Sequence, residues 1–248
     1  MNSPAFAPAF FPAALPVADT VAGEPVVLLH GLGLHRWAMA RLARDLRAAG
    51  YRVVNLSYPS RTRPLEELAA DWLPRQLQAA GLDTGTRVNF VTHSMGGILV
   101  RFYLRDHRAH PPGRVVMLAP PNQGSEVVNH LRDFPPFRWF TGVNGGRLGT
   151  DAASAPLALG PWPAGAGELG IIAGDRSFNP LFSAWIDGPN DGKVAVSRAQ
   201  LEGMTDFIVL PHSHTWLVWC RDTSAQVLAF LREGKFARVT PPPETSAG

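Results

Sequence analysis

A chain of 248 residues, 46% apolar and 17% charged, is long enough for one buried core and too apolar to be disordered over most of its length. The net charge is only +3, and the arginines Arg36, Arg41, Arg44, Arg52, Arg75, Arg101 and Arg132 are scattered, whereas a nucleic-acid footprint needs clustered base. The single cysteine, Cys220, excludes an intrachain disulfide and reads as a buried packing thiol among Trp216, Leu217, Val218 and Trp219.

Residues 1–22 carry Pro4, Pro8, Pro12 and Pro16 and no basic residue before Arg36, which predicts a loose arm and not the charged start of an export signal. No run reaches the ~18–20 apolar residues of a membrane span. The expectation is a cytoplasmic protein.

Pro25-Val26-Val27-Leu28-Leu29-His30 is a short run of the kind found in a strand buried on both faces, and it ends at Gly31. Trp37, Leu42, Leu46 and Ala49 recur at helical spacing until Gly50. Arg52 to Leu56 reads as the next strand, and Tyr58-Pro59-Ser60 as a turn. A helix is predicted from Pro64 to Ala80, with Glu66 and Glu67 at its positive end and a kink at Pro74. Arg87 to Thr92 is a third strand that runs into Ser94, Gly96 to His107 a helix, and Arg114 to Leu118 a fourth strand. Strand and helix alternate at intervals of about 30 residues, the signature of a mostly parallel, doubly wound α/β sheet with helices on both faces.

The alternation stops over 122–167, where Phe134-Pro135-Pro136-Phe137, Trp139-Phe140 and Pro161-Trp162-Pro163 fall. So long an irregular stretch is uncommon unless it works, and it reads as a cap-like excursion above the sheet. Strands resume at Glu168–Ala173 and Asp206–Leu210, and a last helix covers Thr223–Glu233. One domain is expected over 23–238, with a disordered tail at 239–248.

Ser94 lies between a strand and a helix, in Val91-Thr92-His93-Ser94-Met95-Gly96-Gly97. A serine hydroxyl becomes a nucleophile when a histidine takes its proton, a carboxylate orients that histidine and N–H donors receive the oxyanion. A sharp strand-to-helix turn would expose such a serine. Thr92 stands where G-x-S-x-G has its first glycine, and by itself Ser94 also fits an ordinary helix cap.

Together, His30-Gly31-Leu32-Gly33, Thr92-His93-Ser94-Met95-Gly96-Gly97, Leu118-Ala119-Pro120-Pro121-Asn122-Gln123-Gly124-Ser125, Asn190-Asp191-Gly192-Lys193-Val194 and Ser213-His214-Thr215-Trp216 resemble bacterial α/β-hydrolase-fold esterases and lipases. The resemblance covers about residues 25–233, and it departs from the family pattern at Thr92 and at Pro120. It implies an α/β-hydrolase fold and cleavage of carboxylic esters through an acyl-enzyme on Ser94. It also implies Asp191 as the acid, His214 as the base, and the backbone N–H groups of Leu32 and Met95 as oxyanion donors. His30 is expected to hydrogen-bond its loop into shape. Asp175, Asp187 and Asp206 compete for the acid's place, and His212 for the base's. A zinc site drawn from His30, His93, His212 and His214 lacks the H-E-x-x-H arrangement. No metal or organic cofactor is implied, and the partner expected is a small apolar ester seated against the Phe and Trp residues of 122–167. An acyltransferase or a non-enzymatic ligand-binding protein would share the fold.

Overall fold

The structure is a computed structural model, and it describes residues 23–106 and 112–238. The expected arm 1–22, the expected tail 239–248 and the end of the predicted helix at His107 lie outside those residues.

Six strands form one sheet: β1 (Pro25–Leu29), β2 (Arg52–Leu56), β3 (Val88–His93), β4 (Pro112–Leu118), β5 (Leu169–Gly174) and β6 (Asp206–Leu210). Their order is β2-β1-β3-β4-β5-β6, and every neighbouring pair is parallel. β1, β3 and β5 are buried along their whole length, whereas the edge strands β2 and β6 are half-buried. Alternate residues face opposite ways along each strand. Val27, Leu29, Phe90 and Met117 therefore join one apolar layer, and Val26, Leu28, Val91 and Val116 the other.

Helices cover both faces. α1 (Ala40–Ala48) brings Leu42 and Leu46 to the second layer. Trp37, which the spacing assigns to that helix's apolar face, lies instead in a 3-10 turn over Arg36–Met39 and is 70% exposed. Three residues per turn rotate it off the 3.6-residue stripe. The helix predicted over Pro64–Ala80 divides into α2 (Leu65–Glu67) and α3 (Leu73–Ala79) around a π turn at Leu68–Trp72. Pro74 follows that turn; having no N–H, it would leave a carbonyl of a regular helix unpaired, and the wider turn accommodates it. α4 (Met95–Asp106) is buried from Met95 to Leu104.

The stretch 122–167 is more regular than its composition implies. It folds into α5 (Glu126–Leu131), α6 (Pro135–Gly145) and α7 (Ala155–Ala158). Pro135 and Pro136 open α6 where their missing N–H costs nothing, as Pro156 does in α7. Two buried side chains fasten this cap. The Asn144 amide donates to the carbonyls of Ser60 and Arg63, both at 2.8 Å, and accepts the Leu65 N–H at 3.2 Å. Arg101 of α4 donates to the carbonyls of Asn122 at 3.1 Å, Pro156 at 2.9 Å and Gly160 at 2.6 Å. Burial lowers its guanidinium to about 10. The chain continues through α8 (Pro180–Ala184) and α9 (Val196–Ala199) to β6, and closes with α10 (Arg221–Glu233), which packs Val227 and Phe230 onto the second layer.

Replacing Arg101 by Met keeps the apolar stem and orphans three buried carbonyls. The expected cost is about 3 kcal/mol, which is a fall of roughly 10 °C in the thermal midpoint for a chain of this size. A melt of Arg101→Met that matches the wild type would show that the cap is held by other contacts.

Candidate active site

The chain passes from β1 outward to β2 and then returns across β1 to β3. In open α/β sheets such a change of direction leaves a crevice beyond the carboxyl ends of the two strands. Leu29 is in register with Thr92, so the loops after β1 and β3 leave the sheet at the same level. Ser94 occupies the first position after β3 with φ 52°, in the left-handed region that non-glycine residues seldom adopt. Its N–H is held by the Leu118 carbonyl at 2.8 Å. Close packing explains why Gly96 is small: a Cβ there would lie 2.5 Å from the Leu29 carbonyl oxygen. Thr92 sits inside β3, fully buried, and leaves the turn intact.

Ser94, His214 and Asp191 come together from three separate segments. The Ser94 hydroxyl is 3.0 Å from His214 Nε2, and His214 Nδ1 is 2.8 Å from Asp191 Oδ2. The other Asp191 oxygen accepts the backbone N–H groups of Lys193 at 2.9 Å and Val194 at 2.8 Å. Both carboxylate oxygens are thus occupied, and His214 and Asp191 are buried while Ser94 keeps some exposure. The turn carrying Asp191 depends on Gly192 at φ 91° and on the Asn190 side chain, which takes the Gly192 N–H at 3.0 Å.

Two further histidines brace the group. His30 accepts the Tyr58 N–H on Nε2 at 3.2 Å, so its proton is on Nδ1, which donates to the Gly31 carbonyl at 2.7 Å. The Tyr58 ring stacks on it at 4.4 Å, and the Tyr58 hydroxyl donates to the His30 carbonyl at 2.7 Å. Burial lowers His30 to about 4. His93 donates from Nε2 to the His214 carbonyl at 2.9 Å, and burial first, then the neighbouring His214, pushes it well below the ordinary histidine value. This contact of His93 is absent from the sequence reading: it spans 121 positions, and its only local signal is the position beside Ser94. Gly31 fits against it, since a Cβ at Gly31 would stand 3.0 Å from His93 Nδ1. The Gly33 N–H is tied to Ser60 Oγ at 3.0 Å. Among the described residues, by contrast, no acceptor takes the N–H of Leu32 or Met95, the two amides that flank Ser94.

A cavity of about 390 Å³ opens beside Ser94 and His214. Its wall is mainly aliphatic, from Leu32, Val127, Val128, Leu131 and Leu148. Of the aromatic residues expected to form it, Phe137 and Phe140 do so; Trp139 is 78% exposed, and Trp162 is buried with its indole N–H on the Gly167 carbonyl.

The competing residues lie elsewhere. His212 pairs with Asp222 at 2.7 Å, Asp206 with Arg238 at 2.6 Å, and Asp175 with Arg176 at 3.7 Å, while Asp187 is exposed. Cys220 is half-buried and not a core thiol; its sulfur donates to the Trp216 carbonyl at 3.3 Å. The turn into α10 leaves it at the surface edge of the helix. His212, Cys220 and Asp222 each place a ligand atom within 4.8 Å of the others, but none of the three lines the cavity. Among the described residues no helix is long and apolar enough to cross a membrane.

A search of curated proteins returns no match to this sequence. Among solved structures, a Bacillus licheniformis lipase in its mature form is 20% identical with a TM-score of 0.65, over 86% of this chain and 92% of that one. A carboxyl esterase from a metagenome is 21% identical with a TM-score of 0.63, over 85% and 69%. A thermophilic esterase from Thermogutta terrifontis is 15% identical with a TM-score of 0.56, over 86% and 91%. These likenesses establish the fold. The model of the alpha/beta hydrolase family matches residues 26–243, and the chain belongs to that family.

Proposed function

We propose that the protein is a serine hydrolase that cleaves small carboxylic esters through an acyl-enzyme on Ser94. The observation that carries this reading is the unbroken hydrogen-bond chain from the Ser94 hydroxyl through His214 to Asp191, 3.0 Å and 2.8 Å long, at the edge of an apolar cavity.

In this reading the Ser94 oxygen attacks the ester carbonyl as His214 Nε2 accepts its proton. Asp191 keeps the His214 proton on Nδ1 and stabilises the imidazolium that forms. The carbonyl oxygen, now negative, takes the N–H groups of Leu32 and Met95, which have no acceptor among the described residues. His214 returns the proton to the departing alkoxide. Water then attacks the acyl-enzyme by the same route and frees the acid. His30 and His93 act as neutral braces: His30 has both ring nitrogens paired in the neutral form, and burial keeps His93 neutral with its Nε2 proton on the His214 carbonyl, which keeps stray positive charge away from the imidazolium. The lipase and esterase activities named for the structural relatives agree with this reading.

A fluorophosphonate probe is expected to label the protein and to leave Ser94→Ala unlabelled; equal labelling of the two overturns the assignment. Ser94→Ala or His214→Ala is expected to lower kcat on a p-nitrophenyl ester by about 10⁴-fold or more, with the double variant little worse than either alone.

The pH dependence of stability follows from His30. Its folded value, about 4, lies below the unfolded value of 6.5, so the unfolded chain binds the extra proton first. Stability is full above about pH 6.5 and falls as the pH drops toward 4. The His30 contribution to that loss is roughly 3 kcal/mol. Urea unfolding at a series of pH values should show the slope, and His30→Gln should lessen it while His93, also lowered by burial, keeps its own share.

A further inference from the structure

Among the residues that line the cavity, Lys193 is the one lysine or arginine. It is also open to solvent, which puts the residue at the mouth. Its backbone is pinned on both sides: the N–H goes to Asp191 Oδ1 at 2.9 Å, and the carbonyl accepts the Ser125 hydroxyl at 2.6 Å. Ser125 lines the same cavity, so the root of the lysine side chain is fixed relative to the wall.

Asp191 and Glu126 already have partners, Glu126 on one oxygen only. Asp191 holds His214 on one oxygen and two backbone N–H groups on the other. Glu126, at the start of α5, is paired with Arg198. Among the described residues no ion pair is made by Lys193. The surroundings act on it accordingly: desolvation pushes the Lys193 ammonium below the ordinary lysine value, Asp191 pulls it back, and its own charge is felt at His93.

Resting on the ester-hydrolase reading, we infer that Lys193 is a specificity residue that receives a carboxylate borne by the substrate. The substrate class is a half-ester of a dicarboxylic acid, with its apolar chain against Val128, Leu131, Phe137 and Leu148. A single ammonium, with no arginine in the wall, matches one negative charge; a phosphate dianion is held by several donors or by the planar arginine fork. The cavity is also near the small end of the ~300–1,000 Å³ range for ligand sites, which suits a short chain.

The test compares two aryl esters of equal length, the p-nitrophenyl half-ester of adipic acid and p-nitrophenyl hexanoate, each corrected for its rate in buffer. The readout is the ratio of kcat/KM for the charged ester to that for the neutral one. Lys193→Met is expected to lower this ratio about tenfold, the effect of one charge-assisted hydrogen bond. Lys193→Arg should keep most of the ratio, and about 0.5 M NaCl should reduce it in the wild type. A ratio that Lys193→Met leaves unchanged or raises overturns the carboxylate assignment and leaves ester hydrolysis standing. Failure of the wild type to cleave either ester overturns both.

Discussion

The mouth of the cavity hangs on one pairing, that of Leu29 with Thr92 across the parallel strands β1 and β3. Because the two strands end level, the His30–Gly33 loop and the Ser94 turn leave the sheet side by side, with α4 starting between them. Gly96 permits that approach by presenting no side chain to the Leu29 and His30 carbonyls. Slipping the register by one residue would send every side chain of β3 to the opposite layer. The apolar residues of both layers therefore hold the serine in place, Leu118 among them through its carbonyl.

Around that pairing most polar groups satisfy one another, although Thr92 Oγ1 and His93 Nδ1 are buried without a partner. Asp191 has a partner on each oxygen, His214 is held at both ring nitrogens and at its backbone carbonyl, and His30 is locked by Tyr58 and Gly31. Polar groups so enclosed are costly if unpaired, and once paired they are rigid. The groups left without a partner are informative for the same reason. Among the described residues the N–H groups of Leu32 and Met95 have no acceptor, and Lys193, in the lining of the cavity, makes no ion pair.

The sheet and the segments bearing Ser94, Asp191 and His214 were legible in the sequence because each rests on local pattern. Runs such as Val26–Leu29 and Phe90–Val91 are apolar on both faces, as strands covered by helices must be, and the strands found differ from those expected by one or two residues. The choice of His214 over His212 rested on resemblance; the structure brings His214 to Ser94 and gives His212 to Asp222. What escaped the reading is non-local. Asn144 acts on Ser60 and Arg63 across 84 and 81 positions, and His93 on His214 across 121, with no periodicity to announce either. Trp37 was misplaced because a 3-10 turn breaks the repeat on which its position was judged. The cap reads as irregular because its helices are short and two of the three carry proline in the first turn, the residue that usually ends a helix.

The double fastening of the cap bears on the timing of turnover. Asn144 ties its middle to the loop after β2, and Arg101 ties its beginning and end to α4. A cap held in this way is restrained at three places, and the break within α6 at Gly142 lies two residues from the Asn144 tie. Passage to Ser94 is then governed by single side chains at the entrance, chiefly Phe140, which lines the cavity and is 59% exposed. Rotation of an exposed ring takes picoseconds to nanoseconds, whereas a lid opens in microseconds to milliseconds. Substrate entry and product departure would be fast on the scale of a typical turnover, so the bond-making and bond-breaking steps would set the pace of this protein's cycle.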